Sequence, residues 1–581
     1  MMNMKKIALM LLVAVAVTGV ANAADVEVSG DITESTTWTA DNTYILTEQT
    51  YVMPGATLTI EAGTVIKGQS GEDGGGSLAV SRGAKIYVNG TKDAPVVMTS
   101  TKDDRENWRP ECNEWGNLTI MGNALIGGYS FDGDVQFDNV RYPDGDNERQ
   151  MEGLVAGGGK DRFGGDDDDD DSGSISYLSI RYGGKVVGLG NELNGLSLGG
   201  IGRETEIHHV EIMNNVDDGI EIWGGTVNLK YVAIWNIGDD SFDVDQGWRG
   251  KAQFGLIVQG YSANAKQGSG VGDNMFEIDG AEDSDGQPVT TARIYNFTLI
   301  GQPDGDGATA WRCNARVQFR NCLIMDCGEK IVRFDDDDGD GQEGYGYNGT
   351  LSWEDTWATD ADDVTKATQG FDLGTYSYAD LYKSQDPDGK LAEITDTVFY
   401  NNEHSAAYTE AEARGVFAAG NNNVKEPGDM PIQSITRADP VVIESKVMAR
   451  VTELDPRANP SGAAATSAQT APADGFFTPA PFRGGFSPSH NWLLGWTAAD
   501  EFGMLVDVAD NEETPEATAE IAKIQMNTTF DTEADVYYTV EKSSDMKNWS
   551  PVATVKGDGD PMTVEDLDEF ESGKFYRVVR Q

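Results

Sequence analysis

Apolar and polar residues alternate along much of the chain, and the alternation itself recurs. Asp217-Asp218-Gly219-Ile220-Glu221-Ile222, Asp239-Asp240-Ser241-Phe242-Asp243-Val244 and Asp273-Asn274-Met275-Phe276-Glu277-Ile278 are copies of one motif. Each has two polar residues, a small or flexible one, and an apolar–acidic–apolar triplet. Period-two alternation predicts a strand buried on one face. Extending the series gives Leu196-Ser197-Leu198 before it, then Trp311-Arg312-Cys313 and Val332-Arg333-Phe334 after it. The predicted central residues are therefore Ser197, Glu221, Asp243, Glu277, Arg312 and Arg333, separated by 24, 22, 34, 35 and 21 residues.

A second strand type interleaves with the first: Tyr177-Leu178-Ser179-Ile180, His209-Val210-Glu211-Ile212, Tyr231-Val232-Ala233-Ile234, Gly255-Leu256-Ile257-Val258, Asn296-Phe297-Thr298-Leu299 and Asn321-Cys322-Leu323-Ile324. From Ile212 the steps are 22, 24, 41 and 25 residues. Two strand series with one basic step mark a repeat architecture. Short strands joined by Gly, Asp and Asn turns predict an all-β fold, a right-handed parallel β-helix. The longer steps are one coil plus an outward loop.

The pattern divides the chain. Residues 1–23 read as a signal peptide, with Lys5 and Lys6 ahead of an apolar run and Ala21-Asn22-Ala23 as a small-x-small cleavage pattern. Residues 24–505 are the β-helix, with an N-terminal cap expected before Ala56 and acidic loops inserted at about 140–172 and 335–390. An Ala-, Ser-, Pro- and Thr-rich stretch at 455–475 reads as a flexible surface segment. Phe476, Phe477, Phe482, Phe486, Trp492 and Trp496 are expected to plug the far end of the solenoid. An acidic linker, 506–516, leads to a β-sandwich module at 517–581. No other stretch reaches the length of a membrane span, so the expected location is extracellular or cell-surface.

Charge then narrows the partners. The formal net charge is −54, with 97 acidic against 43 basic residues, which disfavours nucleic acid and anionic membranes. It favours divalent cations, cationic surfaces or a saline habitat. Cys112, Cys313, Cys322 and Cys327 lack paired CxxC spacing. A bridge within the last three, or buried free thiols, both fit.

Asp166–Asp171 is a run of six aspartates, read as unable to be buried and so either disordered or organised by calcium. Asp336-x-Asp338-x-Asp340-Gly341 has the alternating oxygen ligands of a calcium loop, but its twelfth position is Tyr347, not the Glu of an EF-hand. Further calcium-ligand candidates are Asp243, Asp245, Glu277 and Asp279. Like charges stacked on successive coils must be exposed, paired with arginine or bridged by a cation.

Leu58 to Gly68, Asp217 to Gly225 and Gly475 to Leu505 resemble exported bacterial right-handed β-helix proteins of the pectate-lyase-like superfamily, a group without established activity. The resemblance spans roughly residues 40–505. It implies the fold and export, with a role in adhesion, extracellular structure or carbohydrate binding. The superfamily also holds glycoside hydrolases and calcium-dependent polysaccharide lyases. For a hydrolase, Asn236-Ile237-Gly238-Asp239-Asp240 is similar to their Gly-Asp-Asp element, and Asp217, Asp218, Asp239 and Asp240 would act as acid and base. The Gly-His-Gly and Arg-x-Lys elements of those hydrolases are missing from the later coils. For a lyase, Arg312 and Arg333 would be base and clamp, with Glu221, Asp243 and Glu277 on the ion. The oligomeric state is not legible.

Overall fold

A computed structural model describes residues 24–70, 75–127, 148–154, 158–188, 191–262, 272–281, 288–302, 305, 307–313, 315–334, 353–361, 378–402, 415–443, 445–467, 469–508, 526–530, 537–543, 550–556, 562–566 and 575–580. The signal-peptide segment and the Asp336, Asp338 and Asp340 loop lie outside these residues. The chain divides into two compact units, 1–514 and 515–581.

The first unit is the predicted right-handed parallel β-helix. Each coil is a three-faced prism, as Glu206–Trp223 illustrates. A long strand, Glu206–Met213, bends at His209 and supplies two faces, and Ile220–Trp223 supplies the third. The third face is a nine-stranded parallel sheet running from Gln49–Val52 to Val332–Phe334. Ile207, Val210, Ile212, Ile220 and Ile222 point inward and stack on Leu229, Val232, Ile234, Phe242 and Val244 of the next coil, forming one continuous buried core. Each such side chain contributes about 1.5–3 kcal/mol of burial.

The bend is made by a left-handed residue at the same place on successive coils: Tyr177, His209, Tyr231, Phe254, Asn296, Asn321 and Asp396, with φ between 48° and 61°. This corrects one predicted register. Ile234 pairs with Ile257, not Val258, because Phe254 is the bend residue and Gly255 occupies the inward position of Val232. A Cβ on Gly255 would lie 2.0 Å from Phe297 Cε1, so the Phe297 ring of the next coil takes the space a side chain would have used.

The aromatic segment does not plug an end. It runs back along the second face as a strap across successive coils. The Phe477 ring packs on Tyr295, Phe482 on Phe254, and Trp492 and Trp496 on His209. Phe486, Trp492 and Trp496 cover the outward residues Met213, Trp235, Leu256, Val258 and Ile300. Glu501 ends the strap on Arg181, at 2.6 Å, and Arg105, at 3.0 Å. The 455–475 stretch begins inside a strand, Val451–Ala458, paired antiparallel with Ile432–Arg437, so its first residues are ordered rather than flexible.

Two further expectations are resolved. Asp168, within the aspartate run, is buried: Arg249 Nη2 donates to its Oδ1 at 2.7 Å, and Arg203 lies 3.7 Å away. Arginine, not solvent, meets that charge. The four cysteines are buried and joined by no disulfide, and burial pushes the Cys322 thiol up to about 12. In the second unit the described strands form an antiparallel pair, Met526–Phe530 with Met562–Asp566, and a three-stranded antiparallel sheet of Tyr537–Ser543, Ser550–Lys556 and Phe575–Arg580. No helix among the described residues is long and apolar enough to cross a membrane.

Candidate metal centre

The turn before each third-face strand must satisfy backbone N–H groups that no longer run in a ladder. The second polar residue of each motif does this for the coil above. Asp218 N–H donates to Asn194 Oδ1 at 3.1 Å, Asp240 N–H to Asp218 Oδ1 at 3.0 Å, and Asn274 N–H to Asp240 Oδ1 at 2.6 Å. Gly195 and Gly219 follow two of these rungs, and a Cβ on either would sit 2.4 Å from the backbone oxygen of Gly219 or Ser241 respectively. The turns therefore stack tightly, and they bring their side chains together.

On the strands, Glu221, Asp243 and Glu277 stand opposite one another in register and face outward. Together with the turns they make a carboxylate array over three coils. Oxygens of Asp218, Glu221 and Asp243 all lie within 4.8 Å of one another, as do those of Asp217, Asp218 and Asp239, and of Asp239, Asp240 and Asp273. Asp217, Asp218, Glu221, Asp240 and Asp243 are only 4–9 % exposed. Burial first, and then the neighbouring carboxylates, push all five well above the usual carboxylate range. Glu152 and Glu192 add to the negative field at Asp217. Asn194 Nδ2 donates to Glu221 Oε2. On Asp243 the Glu221 carboxyl and the Val244 N–H pull the other way, yet its Oδ1 is buried with no hydrogen-bond donor among the described residues.

The far end of the array is neutralised by arginine. Arg312 pairs with Glu277 and lies 3.3 Å from Asp279 Oδ2, and Arg333 stands 3.7 Å from Asp273. Glu277 is held low: burial opposes this, but the hydrogen bond from Asp240 and the Arg312 guanidinium outweigh it. The two neighbouring carboxyls are thereby pushed apart, Asp240 upward and Glu277 downward.

The predicted positions separate accordingly. Asp218, Glu221 and Asp243 come together, and Asp239 and Asp240 adjoin them. Glu277 and Asp279 belong to Arg312 instead, and Asp245 Oδ1 accepts from Gln246 N–H at 2.6 Å. Arg312 is not a ladder residue: Glu277 pairs with Ala310, and Ala310 with Arg333. It reaches Glu277 from the turn beyond. Asn194 and Asp273 were not singled out by sequence, although Asp273 fits the two-polar motif and Asn194 holds its second polar position after Leu193, whereas Glu152 and Glu192 carry no spacing signal. Trp223, Trp235 and Trp248 are buried packing residues.

A protein-family model described as a pectate-lyase-like β-helix domain matches residues 30–387. No curated protein and no solved structure matches the chain.

Proposed function

The chain belongs to the pectate-lyase-like β-helix family, and from that premise we propose that it is an exported carbohydrate-binding protein whose third face holds a calcium-class cation. Asp218, Glu221 and Asp243 would hold the ion. The supporting observation is the Asp243 carboxylate, whose buried Oδ1 has no donor among the described residues, beside two further carboxylates within 4.8 Å. An all-oxygen, all-carboxylate donor set suits a hard divalent cation. Bound there, the ion would neutralise the array and offer open coordination to the acid group of a glycan. The −54 charge fits this reading, since an anionic sugar needs such a bridge. Export is supported by the Lys5-Lys6, apolar and Ala21-Asn22-Ala23 pattern.

The test is binding of acidic and neutral oligosaccharides to the mature protein, with calcium and after chelation. Calcium-dependent retention of acidic glycans alone is the expected outcome. Equal binding after chelation, or none to any glycan, sinks the proposal.

A second reading, hydrolysis of an acidic glycan, draws on the Asp240–Glu277 pair, because one carboxyl is pushed up beside one that is held low. The pair is hydrogen-bonded, however, and so closer than the roughly 5 Å or more that separates acid and nucleophile across a glycosidic bond. Lyase chemistry through Arg312 is disfavoured by charge. Burial works against its protonated form, but Asp279 and Glu277 more than offset that and hold it above its ordinary value, so it makes a poor base. Release of saturated reducing ends, lost in Asp240→Asn, would favour this second reading, whereas unsaturated uronates would mark elimination and count against it.

A further inference from the structure

Away from the carboxylates, the bend residues of four coils carry rings. Tyr177, His209, Tyr231 and Phe254 are left-handed, at φ 48°, 53°, 58° and 61°. That conformation costs an L-residue roughly 1–2 kcal/mol, and here the rings form a stack. Centroids are 4.2 Å apart for Tyr177–His209, 4.3 Å for His209–Tyr231 and 5.0 Å for Tyr231–Phe254. The strap closes over this stack. Trp496 meets His209 edge-on at 5.8 Å and Tyr177 at 5.5 Å, while Trp492 meets His209 at 6.3 Å and Tyr231 at 5.5 Å. His209 is therefore boxed by two stacked rings and two indoles.

The titratable groups facing the imidazole come from several elements. His208 shares its strand and places Nδ1 2.9 Å from His209 Nδ1. Lys230 comes from the next coil, Lys92 from an earlier one and His490 from the strap, and each repels added positive charge. Two residues along, buried Glu211 accepts the N–H groups of Ala498 and Ala499 at 2.5 and 3.0 Å and anchors the strap.

We propose that the strap is an acid-released latch: His209 takes a proton only once Trp492 and Trp496 lift away, so mild acid undocks residues 486–502 while the coils stay wound. Burial, followed by His208, Lys230, Lys92 and His490, pushes the docked imidazole down to about 2 from its ordinary 6.5. The docked state then binds fewer protons than the open one. Docking is fully favoured above about pH 6.5 and weakens about tenfold per pH unit below it. Glu211, raised by burial, titrates in the opposite sense, so His209 is read by substitution rather than from the wild-type slope alone. Opening uncovers the apolar outer residues Met213, Trp235 and Val258.

The test is hydrogen exchange by mass spectrometry on the full mature chain from pH 7.5 to 4.5, at fixed salt and calcium and corrected for intrinsic rates. Protection of 486–502 should fall several-fold to tenfold per pH unit below about 6.5, while Ile220–Trp223 and Phe242–Asp245 keep theirs. His209→Phe, which preserves the stack but cannot take a proton, should abolish the trend. Strap protection with the same pH dependence in the wild type and in His209→Phe, or lost in step with the coils, overturns the latch. Should His209→Phe fail to fold, a second substitution of the same residue serves instead. In that case His209→Asn, which puts the bend residue of the coils at Asn296 and Asn321 in its place, should likewise abolish the trend, and a trend as steep as the wild type's refutes the proposal.

Discussion

Asp243→Asn separates a cation site from a merely buried acidic array, because the two differ in sign. In the wild type without divalent cations, Asp243 is pushed up by burial and by Glu277 and Asp279. The folded state therefore holds a proton that the unfolded chain gives up near its ordinary value of 3.8. Stability from this group is present at low pH and declines as pH rises above 3.8 toward the folded value, each unit of displacement amounting to about 1.4 kcal/mol. Asparagine keeps the shape and removes the titration. The variant should thus gain on the wild type as pH rises, with the advantage largest at pH 7; the arginine-paired acids, which act oppositely, are common to both proteins and cancel in the difference. Calcium reverses the order. At a hundredfold excess over its dissociation constant it adds about 2.7 kcal/mol to the wild type. Unfolding entropy of about 2.1 cal/mol/K per residue over about 480 residues is about 1 kcal/mol/K, so the midpoint should rise by about 3 °C. Asp243→Asn should lose most of that rise. The assay is calorimetry of both proteins at pH 5 and pH 7, with calcium or chelator. An equal calcium-induced rise in the two proteins would place the ion elsewhere. A variant less stable than the chelated wild type at pH 7 would show that the buried carboxylate has a partner and would refute the reasoning.

Two packing predictions follow from single contacts. Arg249→Met leaves buried Asp168 with only Arg203, at 3.7 Å, to meet its charge and should cost about 3–5 kcal/mol in denaturant unfolding; adding Asp168→Leu should recover most of it, and an Arg249→Met protein of wild-type stability would mean that Arg203 meets the Asp168 charge unaided. Gly255→Ala puts a methyl into the Phe297 ring and should cost about 1–3 kcal/mol. Phe297→Leu in the same chain should relieve part of that cost, and strictly additive effects would show that the two sites do not touch.

Much of the fold was legible because the inward positions obey one rule on every coil. Ile220 and Ile222, Phe242 and Val244, and Phe276 and Ile278 alternate with outward acids, and that alternation fixes face and step together. The strap was misplaced because an aromatic composition reports apolar area, not what the area covers. A signal was available: Val232-Ala233-Ile234-Trp235 and Leu256-Ile257-Val258 do not alternate, which is how strands buried on both faces read. Their outward residues required a cover, and the 476–496 aromatics supply it. Asp168 escaped for another reason. Its partner Arg249 lies 81 residues away, and a run of aspartates says nothing about which member a distant arginine will claim.

The carboxylate array shows where local pattern stops being sufficient. Coils beginning at Asp217, Asp239 and Asp273 carry nearly the same motif, yet their charges end differently. Glu277 is ionised because Arg312 arrives from the next coil, and Arg312 is in reach because it lies past the strand, in a turn. The triplet Trp311-Arg312-Cys313 imitates a ladder rung and hides this, since the true rung, Thr309-Ala310-Trp311, has no polar centre. Among the described residues no such arginine meets Asp218, Glu221 and Asp243 in the coils at Asp217 and Asp239, and their leading influences are burial and neighbouring carboxylates. The same motif is thereby split into an ion-paired half and a half that must hold protons or a cation. Proton and cation compete for the same oxygens, so calcium should bind more weakly as pH falls from 7 to 5, and titration calorimetry should record proton release on binding. Binding without proton release would mean that these carboxylates are already ionised, contrary to the burial and mutual repulsion on which the cation assignment rests.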